Sequence, residues 1–196
     1  MKKKIEQRLA NIIGVATTPP MTALVAAVAI HLKKPRAFGD GVFWFLLTIL
    51  LLAVIPCLSY VVALLVPSIR RMGRQGQRRL AFVVSVISYI AGTIVCLVGK
   101  APRIVLGFFL SYLAAGSVLS LINGALDFKA SGHACGCSGS LTLVTTVLGT
   151  TMAWAWIVLP AVFWARIRAK RHSMAELISA TLVGATATAV VMTSIT

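Results

Sequence analysis

Residues 41–66 read GVFWFLLTILLLAVIPCLSYVVALLV, a run of 26 residues without a single charge. A helix needs about 20 apolar residues to cross the hydrocarbon core of a bilayer, and a longer run can cross at a tilt. The run therefore predicts a membrane helix. Pro56 lacks the N–H that a helix interior uses, so a bend is expected near its middle.

Outward from this run the pattern repeats. Upstream, residues 9–32 form an apolar segment interrupted by Pro19-Pro20, where the helix should kink or restart. Its basic start and its length predict a retained span rather than a cleaved signal. Lys33-Lys34-Pro35-Arg36 and Gly39-Asp40-Gly41 make the turn between the two segments, and His31 lies beside that turn. Downstream, residues 67–79 read as a basic loop, followed by spans over 80–98 and 104–122 with Gly99-Lys100-Ala101-Pro102-Arg103 between them. Residues 123–129 leave the membrane, with Asp127 and Lys129 as polar residues. Residues 131–165 are too long for one helix and suit two short ones, broken near Gly149 and kinked at Pro160. After a basic linker over 166–171, Ser173 can cap a last helix over 174–194.

Composition agrees with this layout. Hydrophobic residues make up 59% of the 196 and charged residues 12%, against about 25% charged in ordinary globular domains. The expected fold is all-α, a polytopic transmembrane helix bundle of about six to seven membrane helices in a single integral membrane domain. A sheet is excluded in lipid because its open edges cannot be satisfied there. The 19 Lys and Arg outweigh 4 Asp and Glu, for a net charge of +15. Such basic loops fit anionic headgroups or a bound phosphate. Nucleic acid is not an expected partner, since no soluble domain is present to hold it.

Counting crossings brings three polar stretches to one membrane face. Two spans separate the arginines of 70–79 from Ser131-Gly132-His133, and two more separate that triplet from residues 166–176. An even number of crossings returns the chain to the same side. His172 and Glu176 are four apart at a helix start, so the carboxylate can hold one imidazole nitrogen and leave the other as nucleophile or base. Ser131-Gly132-His133 puts a hydroxyl, a glycine and an imidazole at a helix N-terminus, where free N–H groups attract phosphate. The arginines supply forked donors for phosphate oxygens. His133-Ala134-Cys135-Gly136-Cys137 could also hold zinc or copper, but a fourth ligand is not evident and packing of small residues is the better reading.

These stretches resemble the motifs of the type-2 phosphatidic acid phosphatase superfamily: K-x6-R-P, then P-S-G-H, then S-R-x5-H-x3-D. The third motif is matched by Ala165-Arg166, five residues, His172, three residues and Glu176. The second is matched by Ala130-Ser131-Gly132-His133, and the first by Arg71, six residues and Arg78-Arg79. The resemblance covers residues 70–196, and the third motif's spacing is its specific part. Arg71 stands where the family has Lys, Arg79 and Ala130 where it has Pro, Ala165 where it has Ser, and Glu176 where it has Asp.

The resemblance implies a hydrolase acting on a lipid phosphate monoester or an isoprenyl (di)phosphate. It implies that His172 attacks phosphorus, that Glu176 orients it, and that His133 protonates the leaving alcohol. Arg71, Arg78, Ser131, Gly132 and Arg166 would bind the phosphate, with neither metal nor cofactor. The alternative is an inactive relative that binds lipid phosphate or acts as a scaffold. A transporter is disfavoured because no charge lies mid-span. The expected location is a multi-pass position in the plasma membrane. The site face holds 14 of the 19 Lys and Arg, which places it in the cytoplasm by positive-inside counting.

Overall fold

The computed structural model describes residues 2–125 and 128–195, so Asp127 lies outside the described residues. Among the described residues every regular element is helical. In chain order these are α1 (Lys2–Ala16), α2 (Pro19–Lys33), α3 (Phe43–Ile49), α4 (Ile55–Leu65), α5 (Pro67–Arg71), α6 (Gly73–Val98), α7 (Arg103–Ala125), α8 (Gly132–Leu148), α9 (Val158–Arg168) and α10 (Met174–Ile195).

Five segments are long and apolar enough to cross a membrane: Phe43–Leu65, Gly73–Val98, Arg103–Ala125, Thr150–Arg168 and Met174–Ile195. The fold is an all-α polytopic bundle and the chain is a membrane protein. A sixth crossing would be the pair Lys3–Ala16 and Pro19–Lys33, which is bent by 61°. The break falls at the expected place, because Pro19 opens α2 and cannot bond back into α1.

The bend expected at Pro56 takes a different form. A π-helical turn over Leu50–Val54 precedes α4, so α3 and α4 stay one span. The wider turn takes up the register that the missing proline N–H would disturb.

Two stretches read as loops in the sequence are helical. Pro67 opens α5, and α6 begins at Gly73, so Arg74, Arg78 and Arg79 lie on helix that precedes the apolar part of α6. Likewise α9 continues through Arg168, which puts Arg166 and Arg168 in its last turn, where cations complement the helix dipole. Arginine and glutamine are good helix formers, so nothing ends these helices where the apolar pattern stops.

Helix α8 is the centre of the bundle, packed against α2, α7, α9 and α10. Its first half is Gly-His-Ala-Cys-Gly-Cys-Ser-Gly-Ser, and small residues let neighbouring backbones come close in lipid. A Cβ at Gly184 of α10 would collide with the carbonyl oxygen of Cys135, and one at Gly136 would sit 2.8 Å from Pro19. Tyr112 of α7 reaches into the same region, with its hydroxyl 2.6 Å from that of Ser140. Gly184→Ala is expected to push α10 from α8 and destabilise the bundle by about 1–3 kcal/mol, read as a lower thermal midpoint in detergent.

Helix α8 ends at Gly149, whose φ of 96° is open to glycine, and a 3₁₀ stretch over Thr150–Ile157 leads into α9. Lys34 donates to the carbonyl of Val147 at 2.7 Å, placing a cation at the C-terminal end of α8. His31 sits at this same end, stacked on Phe45 at 4.0 Å between ring centres. The opposite end of α8, beginning at Ser131, is where the polar stretches gather.

Candidate active site

Helix α10 starts with a reciprocal cap. The Glu176 N–H donates to the Ser173 hydroxyl at 3.3 Å, and the Ser173 N–H donates to Glu176 Oε2 at 3.2 Å. This is the capping box that Ser-x-x-Glu favours. The same carboxylate oxygen also lies 3.0 Å from His172 Nδ1, and the Lys129 carbonyl oxygen is 3.0 Å from that nitrogen. Both neighbours can only accept, so Nδ1 carries the proton and shares it between them. Nε2 is left with the lone pair, and no hydrogen bond within the described residues engages it.

The His172 side chain is 4% exposed. That burial holds its pKa below the ordinary value of 6.5. Hydrogen bonding to Glu176 works against burial, and the nearby Arg166 charge adds to it. The ring is therefore neutral at neutral pH. A reaction that uses the Nε2 lone pair should gain rate as pH rises through the His172 pKa, with its acidic limb below 6.5. Glu176→Gln removes an anion that raises this pKa, so it should move the limb to still lower pH while lowering the plateau. A pH–rate profile of kcat/KM for both proteins checks this.

The start of α8 is held against the start of α10. The Ser131 N–H donates to the Glu176 carbonyl at 3.2 Å, and the buried Ser131 hydroxyl caps α8 by accepting from the Ala134 N–H at 3.5 Å. Asn123, near the end of α7, pins the preceding residue from both sides. Its Oδ1 accepts from the Ala130 N–H at 2.7 Å, and its Nδ2 donates to the Ala130 carbonyl at 3.4 Å. A Cβ on Gly132 would meet nothing within 4 Å, so the protein leaves open space over this end of the helix. His133 Nε2 lies 2.9 Å from the Gly14 carbonyl of α1. That oxygen can only accept, so Nε2–H donates to it.

Arginines complete the cluster. The charges of Arg166 and Arg78 act on His133, and those of Arg78 and Arg74 act on Arg166. Arg166 Nε is buried without an acceptor among the described residues. Its neighbour Arg168 is satisfied by Glu6 of α1, with Nε and Nη2 each 2.8 Å from Oε2. The Glu6 carboxylate is taken by Arg168, and the Glu176 carboxylate by the N–H of neutral His172. Neither serves Arg166. The site is thus a patch of positive charge that an anion would neutralise.

Of the residues proposed from sequence, His172, Glu176, His133, Arg166 and Arg78 come together, with Ser131 and Gly132 at the α8 end beside Glu176. Arg71 lies at the end of α5, before the break at Met72-Gly73, where Gly73 has a φ of 59°, and is exposed, as Arg74 and Arg78 are. Arg74, one turn before Arg78 on α6, adds a charge that acts on Arg166. The i, i+4 spacing of Arg74 and Arg78 was the available signal for it. Gly14 and Asn123 act through a backbone carbonyl and on backbone groups, for which the sequence carries no signal.

Ala165, which opens the stretch that holds Arg166 and His172, is fully buried. Cys135 and Cys137 face different neighbours. Cys135 packs with Leu177 and Ala180 of α10, and Cys137 with Leu159 and Val162 of α9. No protein-family model matches this chain, nor does any curated protein or solved structure.

Proposed function

We propose that this protein is a phosphatase of the plasma membrane that hydrolyses a lipid phosphate, a phosphate monoester or an isoprenyl (di)phosphate, through a phosphohistidine on His172. The observation that carries the reading is the buried Nε of Arg166, without an acceptor among the described residues, beside an imidazole whose Nε2 lone pair none of them engages. A phosphate supplies both the acceptor and the electrophile.

The chemistry balances on side chains alone. His172 Nε2 attacks the terminal phosphorus, and the bond from it to the leaving oxygen breaks, the alkyl oxygen of a monoester or the bridging oxygen of a diphosphate. The departing alcohol or monophosphate takes a proton from an acid where it needs one. Water then attacks the phosphohistidine, releasing inorganic phosphate and restoring Nε2. Glu176 and the Lys129 carbonyl hold the ring in the reactive tautomer and stabilise the charge it gains. Arg166, Arg78 and Arg74 neutralise the phosphoryl oxygens, the larger part of catalysis for this kind of transfer. Gly132 leaves room for the substrate at the N-terminus of α8.

One observation favours a second reading, a membrane protein that binds lipid phosphate without turning it over. His133 gives its Nε2 proton to Gly14, not to a leaving oxygen. As an acid it must either release Gly14 or donate from Nδ1 of its protonated ring. A panel of glycerolipid and polyprenyl phosphates, incubated with purified protein in EDTA, separates the readings. Release of inorganic phosphate from one class supports hydrolysis and identifies the tail. Saturable binding without release supports the second reading.

A further inference from the structure

Helix α1 has three faces. Glu6, Ala10, Ile13, Gly14 and Thr17 turn inward, and the helix packs on α9. Ile5, Leu9 and Ile12 form an adjacent apolar stripe that no part of the described chain covers, each about half exposed or more. Lys4 and Arg8, both exposed, lie on the remaining side with Gln7, Asn11 and the exposed Val15, and Lys3, also exposed, stands in the first turn above the inward face. The stripe recurs at i, i+4 and i+7, the spacing of one helical face.

We propose that α1 is a docking surface for an anionic lipid headgroup layer, lying in the plane of the membrane on the side of the active site. Its apolar stripe fits the boundary between headgroups and acyl chains, and its three cations complement anionic headgroups. Two further observations set its orientation. The 61° bend at Pro19 turns α1 away from the direction of α2. Its contacts with Arg168 through Glu6, and with His133 through the Gly14 carbonyl, hold it along the helix ends at the site face. An anionic-lipid contact is thus placed about two helical turns from the site, through the element that also holds His133. The proposal does not depend on what the site does.

The test is hydrogen–deuterium exchange of the full chain in vesicles of phosphatidylcholine, with and without phosphatidylglycerol. Amides over residues 3–16 are expected to exchange roughly tenfold more slowly with phosphatidylglycerol. Salt should shrink the difference, and residues 174–195 should show none. The triple variant Lys3→Gln, Lys4→Gln, Arg8→Gln should lose it. Equal exchange in both lipids, or a difference that survives in the triple variant, overturns the proposal. Protection that follows the protein-to-lipid ratio and ignores the headgroup also overturns it, because the stripe is then covered by a second copy.

Discussion

His172→Gln is expected to reduce phosphate release from a lipid phosphate by on the order of 10⁴-fold or more, while binding of the lipid persists. Glutamine is close in size and has an amide N–H that can still reach the Lys129 carbonyl and Glu176, so the packing at the start of α10 is kept. What it lacks is a nucleophilic nitrogen. The thermal midpoint in detergent should therefore stay near that of the native protein. This separation matters because Glu176 also caps α10. Loss of activity on changing Glu176 could come from the cap alone, whereas the loss at His172 cannot. Turnover within about tenfold of native would remove His172 from the mechanism.

The second large effect is expected at Arg166, where activity and stability should move apart. Its guanidinium is half-buried with an Nε that finds no acceptor among the described residues, an arrangement unfavourable to the fold by about 1–3 kcal/mol. Arg166→Met keeps the length and the apolar stem and removes that burden. The midpoint should hold or rise, while kcat/KM falls by about 10²–10³-fold through the loss of a charge aimed at the phosphoryl oxygens. Native protein should gain thermal stability from added vanadate, by preferential binding to the folded state, and Arg166→Met should gain little. Arg166→Lys keeps the charge without the fork and should recover only part of the rate. A drop in both stability and activity for Arg166→Met would make the residue a structural one.

How far the chain could be read ahead of its structure followed the physics of each segment. Long uncharged runs such as residues 41–66 have one stable answer in lipid, and Phe43–Leu65 is helical and long and apolar enough to cross, as expected. Punctuation by Gly149 and Ser173 was equally legible, because a positive φ and an N-cap each call for few residue types. The polar edges were not. Arg74, Arg78, Arg166 and Arg168 read as loop because the apolar pattern stops there, yet a helix continues until something ends it. The arginine-rich stretch also offers several registers, and the break at Gly73 puts Arg71 on α5 while Arg74 and Arg78 share one face of α6.

The crossing count expected His133 and His172 on one face by taking residues 131–148 as a crossing. Helix α8 is shorter than the five segments long enough to cross, yet its start still packs against the start of α10. Contacts through the backbone, such as Gly14 with His133 and Lys129 with His172, leave no residue-type signal. They decide which nitrogen of each ring holds the proton. The reading of a first segment from Leu9, kinked at Pro19-Pro20, set the break where it falls but left out the start of α1 at Lys2, for a related reason. Its apolar residues are interleaved with charges, and only the packing of Ala10 and Gly14 onto α9 shows which face turns inward.

The central claim is that His172 Nε2 becomes bonded to phosphorus. Mixing native protein with a lipid phosphate labelled with radioactive phosphorus, and quenching rapidly in base, tests it most directly. The account predicts a phosphoryl-protein that survives alkali, is lost in acid, maps to His172 and is missing from His172→Gln. Phosphate release without such an adduct on rapid quenching, or an adduct that maps to another residue, would contradict it.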